Sequence, residues 1–329
     1  MSVVQAVLGC GRWGSFHLWY GSRVGNRVIG WEPGDAPCYR RLVEERRNAF
    51  LDLPPDVELT TDLDLCLGAD IITVTVPAQK WRSLAGKLSH ADLSGSDLVL
   101  CMKGMEKETG RRLSEIAVEE GLSPRSLTAW LGPGHPQEFL AGVPSCMLMA
   151  SDSDEALLRL SGIMSSSLIR FYRSRDLIGC EVGAAAKNVM GIAAGILDGL
   201  GMSGLKGALM ARAPQEVARL VAKLGGDWRS VYGLSHLGDY EATLFSPLSR
   251  NRMFGEHIAG GRSDWSGELA EGVDTSSALL ILSGGLGLDM PITAMVRAII
   301  DGGISADEAI SLLFSRPQKE EFLDDFSRT

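Results

Sequence analysis

Short apolar runs alternate with amphipathic segments through the first half of the chain. The apolar runs have the length and composition of strands and cover residues 3–8, 27–31, 71–76, 98–102, 127–131 and 146–150. Helical patterns lie between several of them, at residues 13–22, 36–48, 79–88 and 110–120. Nearly continuous apolar runs are typical of parallel strands covered on both faces. The alternation therefore predicts an α/β fold with a Rossmann-like, doubly wound parallel sheet and right-handed connections.

The pattern changes after about Asp176. Strand-like runs give way to long segments rich in Ala, Gly, Leu and Met, at residues 181–200, 205–224, 267–284, 293–302 and 306–314. Their length and periodicity indicate helices. A chain of 329 residues also exceeds the usual size of one core. The sequence thus predicts an α/β domain over residues 1–176 and a mostly α-helical domain over residues 177–329.

Composition and charge restrict the class of protein. A hydrophobic fraction of 45% and a charged fraction of 22% are typical of globular chains. The net charge of −9 argues against a general nucleic-acid binder, yet a local basic pocket for a small anion remains compatible with it. No apolar stretch reaches the roughly 18–20 residues of a membrane span. The chain opens on a strand pattern without a basic leader, so we expect a cytoplasmic protein.

Six cysteines are scattered along the sequence, and none has CxxC spacing. Most lie in apolar runs, where a reduced and buried thiol is the ordinary state. We therefore expect no disulfide framework and no metal site.

A glycine-rich motif, Gly9-Cys10-Gly11-Arg12-Trp13-Gly14, follows the first predicted strand and precedes a predicted helix. In such a motif the first glycine makes the tight turn and the second lets the backbone approach a pyrophosphate. The third lets the helix pack on the strand, so that its N-terminus faces the anion. The motif predicts a dinucleotide-binding site, with Arg12 and Trp13 beside it. The alternative is a turn with incidental glycines.

Glu32 ends the second predicted strand, 18 residues after Gly14. An acid about 20 residues beyond the motif commonly bonds the adenosine ribose hydroxyls and would repel a 2′-phosphate. We therefore predict NAD as the cofactor. Arg40 and Arg41 could still meet the phosphate of NADP, and Glu32 could simply cap a loop.

Two lysines are candidates for chemistry. Lys103 follows the predicted strand at residues 98–102, and ligands of open α/β sheets bind at such strand ends. Lys187 lies inside a helix rich in Gly and Ala, where partial desolvation would lower its pKa from about 10.4 toward the range of proton transfer. The alternatives are a solvated loop lysine at position 103 and a lysine that reaches the helix surface at position 187.

Several separated segments resemble those of the NAD(P)-dependent glycerol-3-phosphate dehydrogenases of the soluble, two-domain type. Their joint order and spacing are more specific than any one of them. The segments are Gly9 to Ser15, Thr75-Val76-Pro77, Lys103-Gly104-Met105-Glu106, Gly132-Pro133, Gly183 to Val189, Leu237-Gly238-Asp239, Ser249 to Gly255, and Ala270-Glu271-Gly272. The resemblance implies interconversion of sn-glycerol 3-phosphate and dihydroxyacetone phosphate by hydride transfer to and from NAD(P), with the substrate bound by the helical domain.

The resemblance also implies roles for individual residues. It makes Lys187 the general acid and base, with Lys103 and Asp239 as the other catalytic groups, although Asp239 alone reads equally well as a turn residue. The substrate residues are then Lys103, Gly132, Lys187, Asn188, Asp239, Thr243, Ser249, Arg250 and Asn251. The cofactor residues are Gly9, Gly11, Arg12, Trp13, Gly14, Glu32, Pro77, Lys103, Pro136, Arg250 and Glu271. Arg252 is expected to be a surface or structural charge.

Two departures from the family pattern bear on the substrate. The family usually follows Gly-Pro with Ser or Thr and then Phe-Ala, whereas this chain has Gly134, His135 and Pro136. His135 either supplies a donor or packs against a helix. His236 replaces a glycine that is common in the family, and it either perturbs the site or is structural.

The departures leave two alternatives open. One is a related dehydrogenase that acts on another small phosphorylated or hydroxy-acid substrate, and the other is a protein that binds NAD(H) without turnover. A homodimer is also compatible with the sequence, because helical second domains often form dimers.

Overall fold

The computed structural model describes residues 2–34, 36–246, 249–262, 264–267, 270–318 and 320–321. The chain consists of two compact units. The first comprises Met1–Met102 and Leu113–Leu177, and the second comprises Lys103–Arg112 and Ile178–Thr329. The segment that starts at Lys103 therefore belongs with the helical part of the chain, although it follows a strand of the first unit. The assignment of these units to cofactor and substrate stays a prediction.

The first unit is built on a single sheet of eight strands. These are β1 (Val4–Leu8), β2 (Arg27–Trp31), β3 (Glu58–Thr60), β4 (Ile71–Val74), β5 (Asp97–Leu100), β6 (Ser126–Leu131), β7 (Ser145–Ala150) and β8 (Ile169–Ser174). Their order across the sheet is β3-β2-β1-β4-β5-β6-β7-β8. Neighbours are parallel except β6 and β7, which are antiparallel. The predicted Rossmann-like α/β fold is confirmed, with one antiparallel pair in an otherwise parallel sheet.

Six helices accompany this sheet in the described part of the first unit: α1 (Arg12–Arg23), α2 (Pro37–Glu45), α3 (Trp81–Leu88), α4 (Leu113–Glu119), α5 (Pro136–Leu140) and α6 (Asp154–Met164). The hydrophobic pattern did not predict α5, α6, β3 or β8. Helix α6 begins at an N-cap, Ser153, whose hydroxyl accepts the N–H of Ala156. Strand β3 has three residues and β8 exposes much of its length, so neither forms an apolar run.

The second unit contains seven helices in its described part: α7 (Leu177–Gly199), α8 (Lys206–Lys223), α9 (Glu241–Leu244), α10 (Arg250–Ala259), α11 (Glu271–Gly285), α12 (Pro291–Ile300) and α13 (Ala306–Phe314). Helix α7 is the centre of its core. It is long and apolar enough to cross a membrane, but 94% of its most apolar 18-residue window is buried inside the protein. That burial is what the core helix of a globular unit requires.

Glycines spaced four residues apart let other segments approach α7 closely. A Cβ atom on Gly195 would lie 1.9 Å from the carbonyl oxygen of Arg252, and one on Gly191 would lie 2.6 Å from Thr243 Cγ2. Conversely, a Cβ on Gly255 in α10 would lie 2.1 Å from the carbonyl oxygen of Ile192. Helices α7 and α10 therefore pack backbone to backbone. Lys187 falls on the same four-residue spacing, which places it on the face that meets these segments.

Candidate active site

The turn between β1 and α1 has the geometry of a phosphate cradle. Gly9 has a φ of +101°, and a Cβ on Gly14 would lie 1.7 Å from the carbonyl oxygen of Gly9. A Cβ on Gly11, by contrast, would meet nothing within 4 Å, so that backbone is open to a ligand. Helix α1 starts at Arg12, and its N-cap residue Gly11 makes no side-chain cap hydrogen bond. The N-terminus of a helix favours an anion electrostatically. These residues fit the pyrophosphate of a dinucleotide.

Glu32 lies beside this turn. Its Oε2 atom accepts a hydrogen bond from the backbone N–H of Cys10 at 2.5 Å. The predicted cofactor residues Arg12 and Trp13 are held by other groups of the first unit. Arg12 donates to Gln137 Oε1 at 2.6 Å, and the Trp13 ring packs edge-on against Phe16 at 5.5 Å. A carboxylate therefore stands next to the glycine turn, whereas the roles of Arg12 and Trp13 at the cofactor stay predictions.

Other predicted residues of the first unit lie in loops at the same edge of the sheet, since β1, β4 and β6 run in the same direction. Pro77 is exposed after β4 and caps a short 3-10 helix. Gly132 follows β6 with a φ of +111°, and a Cβ there would lie 3.2 Å from Met147 Cα of β7. Pro136 is buried at the first position of α5. Ligand-binding loops of open α/β sheets occur at this edge.

Lys187, Asp239 and Lys103 form a buried ion cluster in the second unit. Asp239 Oδ2 lies 2.8 Å from Lys187 Nζ and 2.6 Å from Lys103 Nζ. Lys187 projects from α7, whereas Asp239 ends a 3-10 turn, Leu237–Asp239. The side chain of Asp239 is 2% exposed, that of Lys187 is 9% exposed and that of Lys103 is 14% exposed. One carboxylate oxygen thus holds a buried and a partly buried ammonium group together.

Burial lowers the pKa of Lys187 to about 8. Removal from water disfavours the ammonium form, and the positive charge of Lys103 acts in the same direction. The carboxylates of Asp239 and Glu271 oppose the shift. Thr243 Oγ1 accepts a hydrogen bond from Lys187 Nζ at 3.0 Å and donates to the carbonyl of Asp239 at 2.9 Å, which fixes the amine in place. This lysine can release and regain a proton near neutral pH.

Asparagine side chains link this cluster to the starts of α10 and α11. Asn188 donates to the carbonyl of Lys103 at 2.7 Å and accepts from Asn251 Nδ2 at 3.1 Å. Asn251 Oδ1 in turn accepts the N–H of Gly272 at 2.9 Å. The chain of bonds sets the position of Lys103 relative to the first turns of both helices. Three of the predicted substrate residues are thereby brought together.

The predicted donor segment at residues 249–252 forms the start of α10. The Ser249 hydroxyl accepts the N–H of Arg252 at 3.3 Å as the N-cap, yet it keeps its own proton to donate. Arg252 donates to Asp198 at 2.6 Å, which agrees with a structural charge. The predicted ligand contacts of Ser249 and Arg250 stay predictions.

Glu271 begins α11 beside these residues, and burial raises the pKa of its carboxyl. The positive charges of Lys187, Lys103 and Arg250 act against that rise. The predicted cofactor role of Glu271 stays untested, but its carboxyl contributes to the electrostatics of the lysine cluster.

The structure adds residues whose part the sequence did not specify. Asp198 of α7 binds both Arg252 and Lys206 at 2.6 Å, which ties α7, α8 and α10 together. His236 is fully buried, and its Nδ1 lies 2.7 Å from the carbonyl of Gly183. The only sequence signal for His236 was its departure from the family pattern.

Comparisons with known proteins confirm the resemblance. Models of the NAD-dependent glycerol-3-phosphate dehydrogenase N-terminus and C-terminus match residues 5–157 and 176–311. A glycerol-3-phosphate dehydrogenase (NAD(P)+) of Chlorobium luteolum is 36% identical over 330 residues, which cover 96% of this chain and 98% of that protein. The corresponding protein of Sinorhizobium fredii is 37% identical over 287 residues, or 86% of each chain.

A solved structure gives the same result. The crystal structure of glycerol-3-phosphate dehydrogenase from Coxiella burnetii superimposes with a TM-score of 0.89 at 26% identity, and the match covers 96% of this chain and 99% of that one. The agreement extends over both units. By the family models, the sequence identities and this structural match, the chain belongs to the NAD-dependent glycerol-3-phosphate dehydrogenase family.

Proposed function

We propose that this protein interconverts sn-glycerol 3-phosphate and dihydroxyacetone phosphate by hydride transfer to and from NAD(P). The observation that carries the proposal is a buried lysine, Lys187, whose pKa is about 8 and whose amine is fixed 2.8 Å from Asp239. Membership of the family supports the same reaction, since the curated relatives are named for it. The substrate class is accordingly a small phosphorylated alcohol or ketone.

The residues of the second unit would carry the proton chemistry. Bound NAD(P) would supply the hydride acceptor for oxidation at C2 of the alcohol and the hydride donor for reduction of the ketone. Lys187 removes the C2 hydroxyl proton during oxidation and protonates the ketone oxygen during reduction. Lys103 adds a positive charge that favours negative charge developing on that oxygen. Asp239 keeps the two ammonium groups together.

The first turn of α10 suits the substrate phosphate. Its N–H groups and the planar guanidinium of Arg250 are donors that match phosphate oxygens. Asn251 is already oriented by Asn188 and Gly272. Binding energy from the phosphate, which does not react, can be used to orient C2 toward the cofactor and Lys187. The glycine turn of the first unit would hold the pyrophosphate of NAD.

The two directions of the reaction should have opposite pH dependence. Oxidation requires the neutral amine of Lys187, so kcat/KM for glycerol 3-phosphate should rise with pH to a plateau above a midpoint near 8. Reduction requires the ammonium form, so kcat/KM for dihydroxyacetone phosphate should fall above the same midpoint. Initial rates from pH 6 to 10 measure both profiles. Two profiles that rise together would contradict the assignment of Lys187.

NADH should be preferred over NADPH, because Glu32 places a negative charge beside the glycine turn. Glu32→Gln keeps an oxygen that can accept the Cys10 N–H but removes the charge. We expect the ratio of kcat/KM for NADPH to that for NADH to rise by about tenfold, or ~1.4 kcal/mol. Glu58→Gln, on the neighbouring strand β3, changes a half-exposed carboxylate and is the matched control. An unchanged ratio in Glu32→Gln would show that the carboxylate does not select the cofactor.

The direct test is the oxidation of NADH and of NADPH with dihydroxyacetone phosphate. Turnover supports the proposal. A substrate panel that gives turnover only with a hydroxy or keto acid would favour a related dehydrogenase instead. Binding of NADH without turnover of any ketone would indicate a protein that binds the cofactor without catalysis.

We also propose a cytoplasmic location and leave a homodimer as an expectation. The proposed location is consistent with the burial of α7, the apolar helix, inside the second unit. Cell fractionation tests the location, and sedimentation equilibrium tests the oligomeric state.

A further inference from the structure

We infer that His236 is a positioning residue, which straps the turn that carries Asp239 to the helix that carries Lys187. The inference rests on the proposed role of Lys187 in proton transfer. His236 is 0% exposed, and its Nδ1 lies 2.7 Å from the carbonyl oxygen of Gly183. Gly183 precedes Lys187 by four residues, so in an α-helix its carbonyl also accepts the backbone N–H of Lys187. His236 thus bonds to the turn of α7 on which Lys187 is built.

The protonation state of His236 suits a hydrogen bond that stays the same over the working pH range. A carbonyl only accepts hydrogen bonds, so the Nδ1 atom that faces Gly183 carries the proton. Burial lowers the pKa of His236 to about 4, and the ring is therefore neutral over the range in which Lys187 titrates. The hydrogen bond from His236 to Gly183 therefore remains, and the imidazole stays neutral, while Lys187 gains and loses its proton.

Backbone bonding transmits the position of His236 to Asp239. The N–H of Asp239 donates to the carbonyl of His236 at 3.1 Å within one 3-10 turn. The same turn therefore meets α7 at two points, through His236 on Gly183 and through Asp239 on Lys187. A Cβ on Gly183 would lie 3.0 Å from His236 Cβ, so the lack of a side chain there allows the approach.

A histidine at position 236 leaves one ring nitrogen buried without a hydrogen bond among the described residues. That cost indicates that the bond from the other nitrogen, Nδ1, to Gly183 is what a histidine contributes here. His236 Nε2 is buried without a hydrogen-bond partner in the described part of the chain, and the imidazole and the Tyr240 ring pack nearly perpendicular, with their centroids 4.8 Å apart. An apolar ring of the same size would avoid that loss but could not bond to Gly183. The hydrogen bond from Nδ1 is what the histidine adds.

Several charged groups determine how the pKa of Lys187 changes when the hydrogen bond between His236 and Gly183 is lost. Lys187 is faced by Asp239 from the 3-10 turn, by Lys103 from the segment at residues 103–112 and by Glu271 from α11, while Lys187 and Asp239 face His236. If the 3-10 turn becomes looser while another side chain fills the place of His236, Asp239 attracts the Lys187 ammonium group more weakly. The repulsion between Lys103 and Lys187 remains. The titration of Lys187 should then move to lower pH.

The test uses His236→Phe, which keeps the ring and removes the donor, and His236→Asn, which places an amide donor near the position of Nδ1. The pKa of Lys187 is measured by competitive labelling with acetic anhydride and mass spectrometry, which does not depend on turnover. We expect the midpoint to fall in the Phe variant, with a several-fold lower kcat for dihydroxyacetone phosphate, and to return toward the wild-type value in the Asn variant. His236→Met, which also lacks the donor, replaces the Phe variant if that protein does not fold.

A double-mutant comparison separates positioning from general destabilisation. If His236 acts through Asp239, the Phe substitution should leave the Lys187 midpoint unchanged in an Asp239→Asn background. A folded Phe or Met variant with the wild-type midpoint would overturn the inference. So would an equal shift in the presence and absence of the Asp239 carboxylate. A wild-type enzyme that is inactive with dihydroxyacetone phosphate would instead reject the proposed function, because the labelling result stands without it.

Discussion

Replacement of Lys187 by methionine is expected to lower kcat for dihydroxyacetone phosphate reduction by about 10²–10⁴-fold, the usual contribution of a general acid. Methionine fills the buried space left by the lysine but has no proton to transfer. The glycine turn belongs to the other unit, so the affinity for NADH should change little. Stopped-flow reduction rates and NADH fluorescence titration measure the two quantities separately.

Two control variants test whether the loss of activity comes from the missing proton transfer. One keeps the positive charge at position 187, and the other makes the Lys-to-Met change elsewhere. Lys187→Arg keeps a cation that does not deprotonate, and it should be nearly as inactive as the Met variant. Lys223→Met makes the same chemical change at an exposed position in the last turn of α8, and it should keep wild-type activity. If Lys187→Met retained more than a tenth of wild-type kcat, another group would have to transfer the proton.

The order of the main elements could be predicted because each leaves a local pattern. Strand β2 and helix α13 have the predicted bounds, since an apolar run or a helical period identifies them directly. Helix α10 was not predicted, because residues 249–252 were interpreted as ligand donors and not as a capped helix start. Ser249 shows that a hydroxyl expected to donate to a ligand also accepts the N–H of Arg252 as a helix cap.

The sequence suggested which residues form the site better than it suggested how they are arranged. Motif positions suggested Lys103, Lys187 and Asp239, but no spacing shows that one carboxylate oxygen lies within 3 Å of both amines. The strand position of Lys103 suggested the first domain, whereas its contacts place it in the second unit. Such pairings depend on how α7 packs. Its glycines indicate that another segment approaches the helix closely, but they do not show which segment it is.

The charges of the second unit suit an anionic substrate. Lys103 and Lys187 share the single carboxylate of Asp239, and Arg250 adds a further cation to the electrostatics around Glu271. Burial strengthens these interactions relative to water. A phosphate would add negative charge beside these cationic side chains. They lie in a chain whose net charge is −9, so the net charge of a protein does not exclude a local site for a small anion.

Asp239→Asn is expected to lower kcat by about 10²-fold and to move the pH profile of glycerol 3-phosphate oxidation to lower pH. The carboxylate of Asp239 favours the ammonium form of Lys187, whereas Lys103 disfavours it. With asparagine the attraction disappears and the repulsion remains, so the pKa of Lys187 falls below its value of about 8. The oxidation profile should then reach its plateau at lower pH, at a reduced maximum rate because the amine is less well held.

Asp198→Asn is the matched control for that experiment. Asp198 is also a carboxylate of low exposure, 9%, that holds two cations, Lys206 and Arg252, and it lies on the same helix as Lys187. Its replacement should lower the thermal midpoint of unfolding, since the buried Lys206 and the partly buried Arg252 each lose an ion pair. It should leave the midpoint of the pH profile near 8, because Asp198 is not among the charges that shift the pKa of Lys187. An upward shift in Asp239→Asn, or equal shifts in both variants, would mean that Asp239 does not set the proton affinity of Lys187.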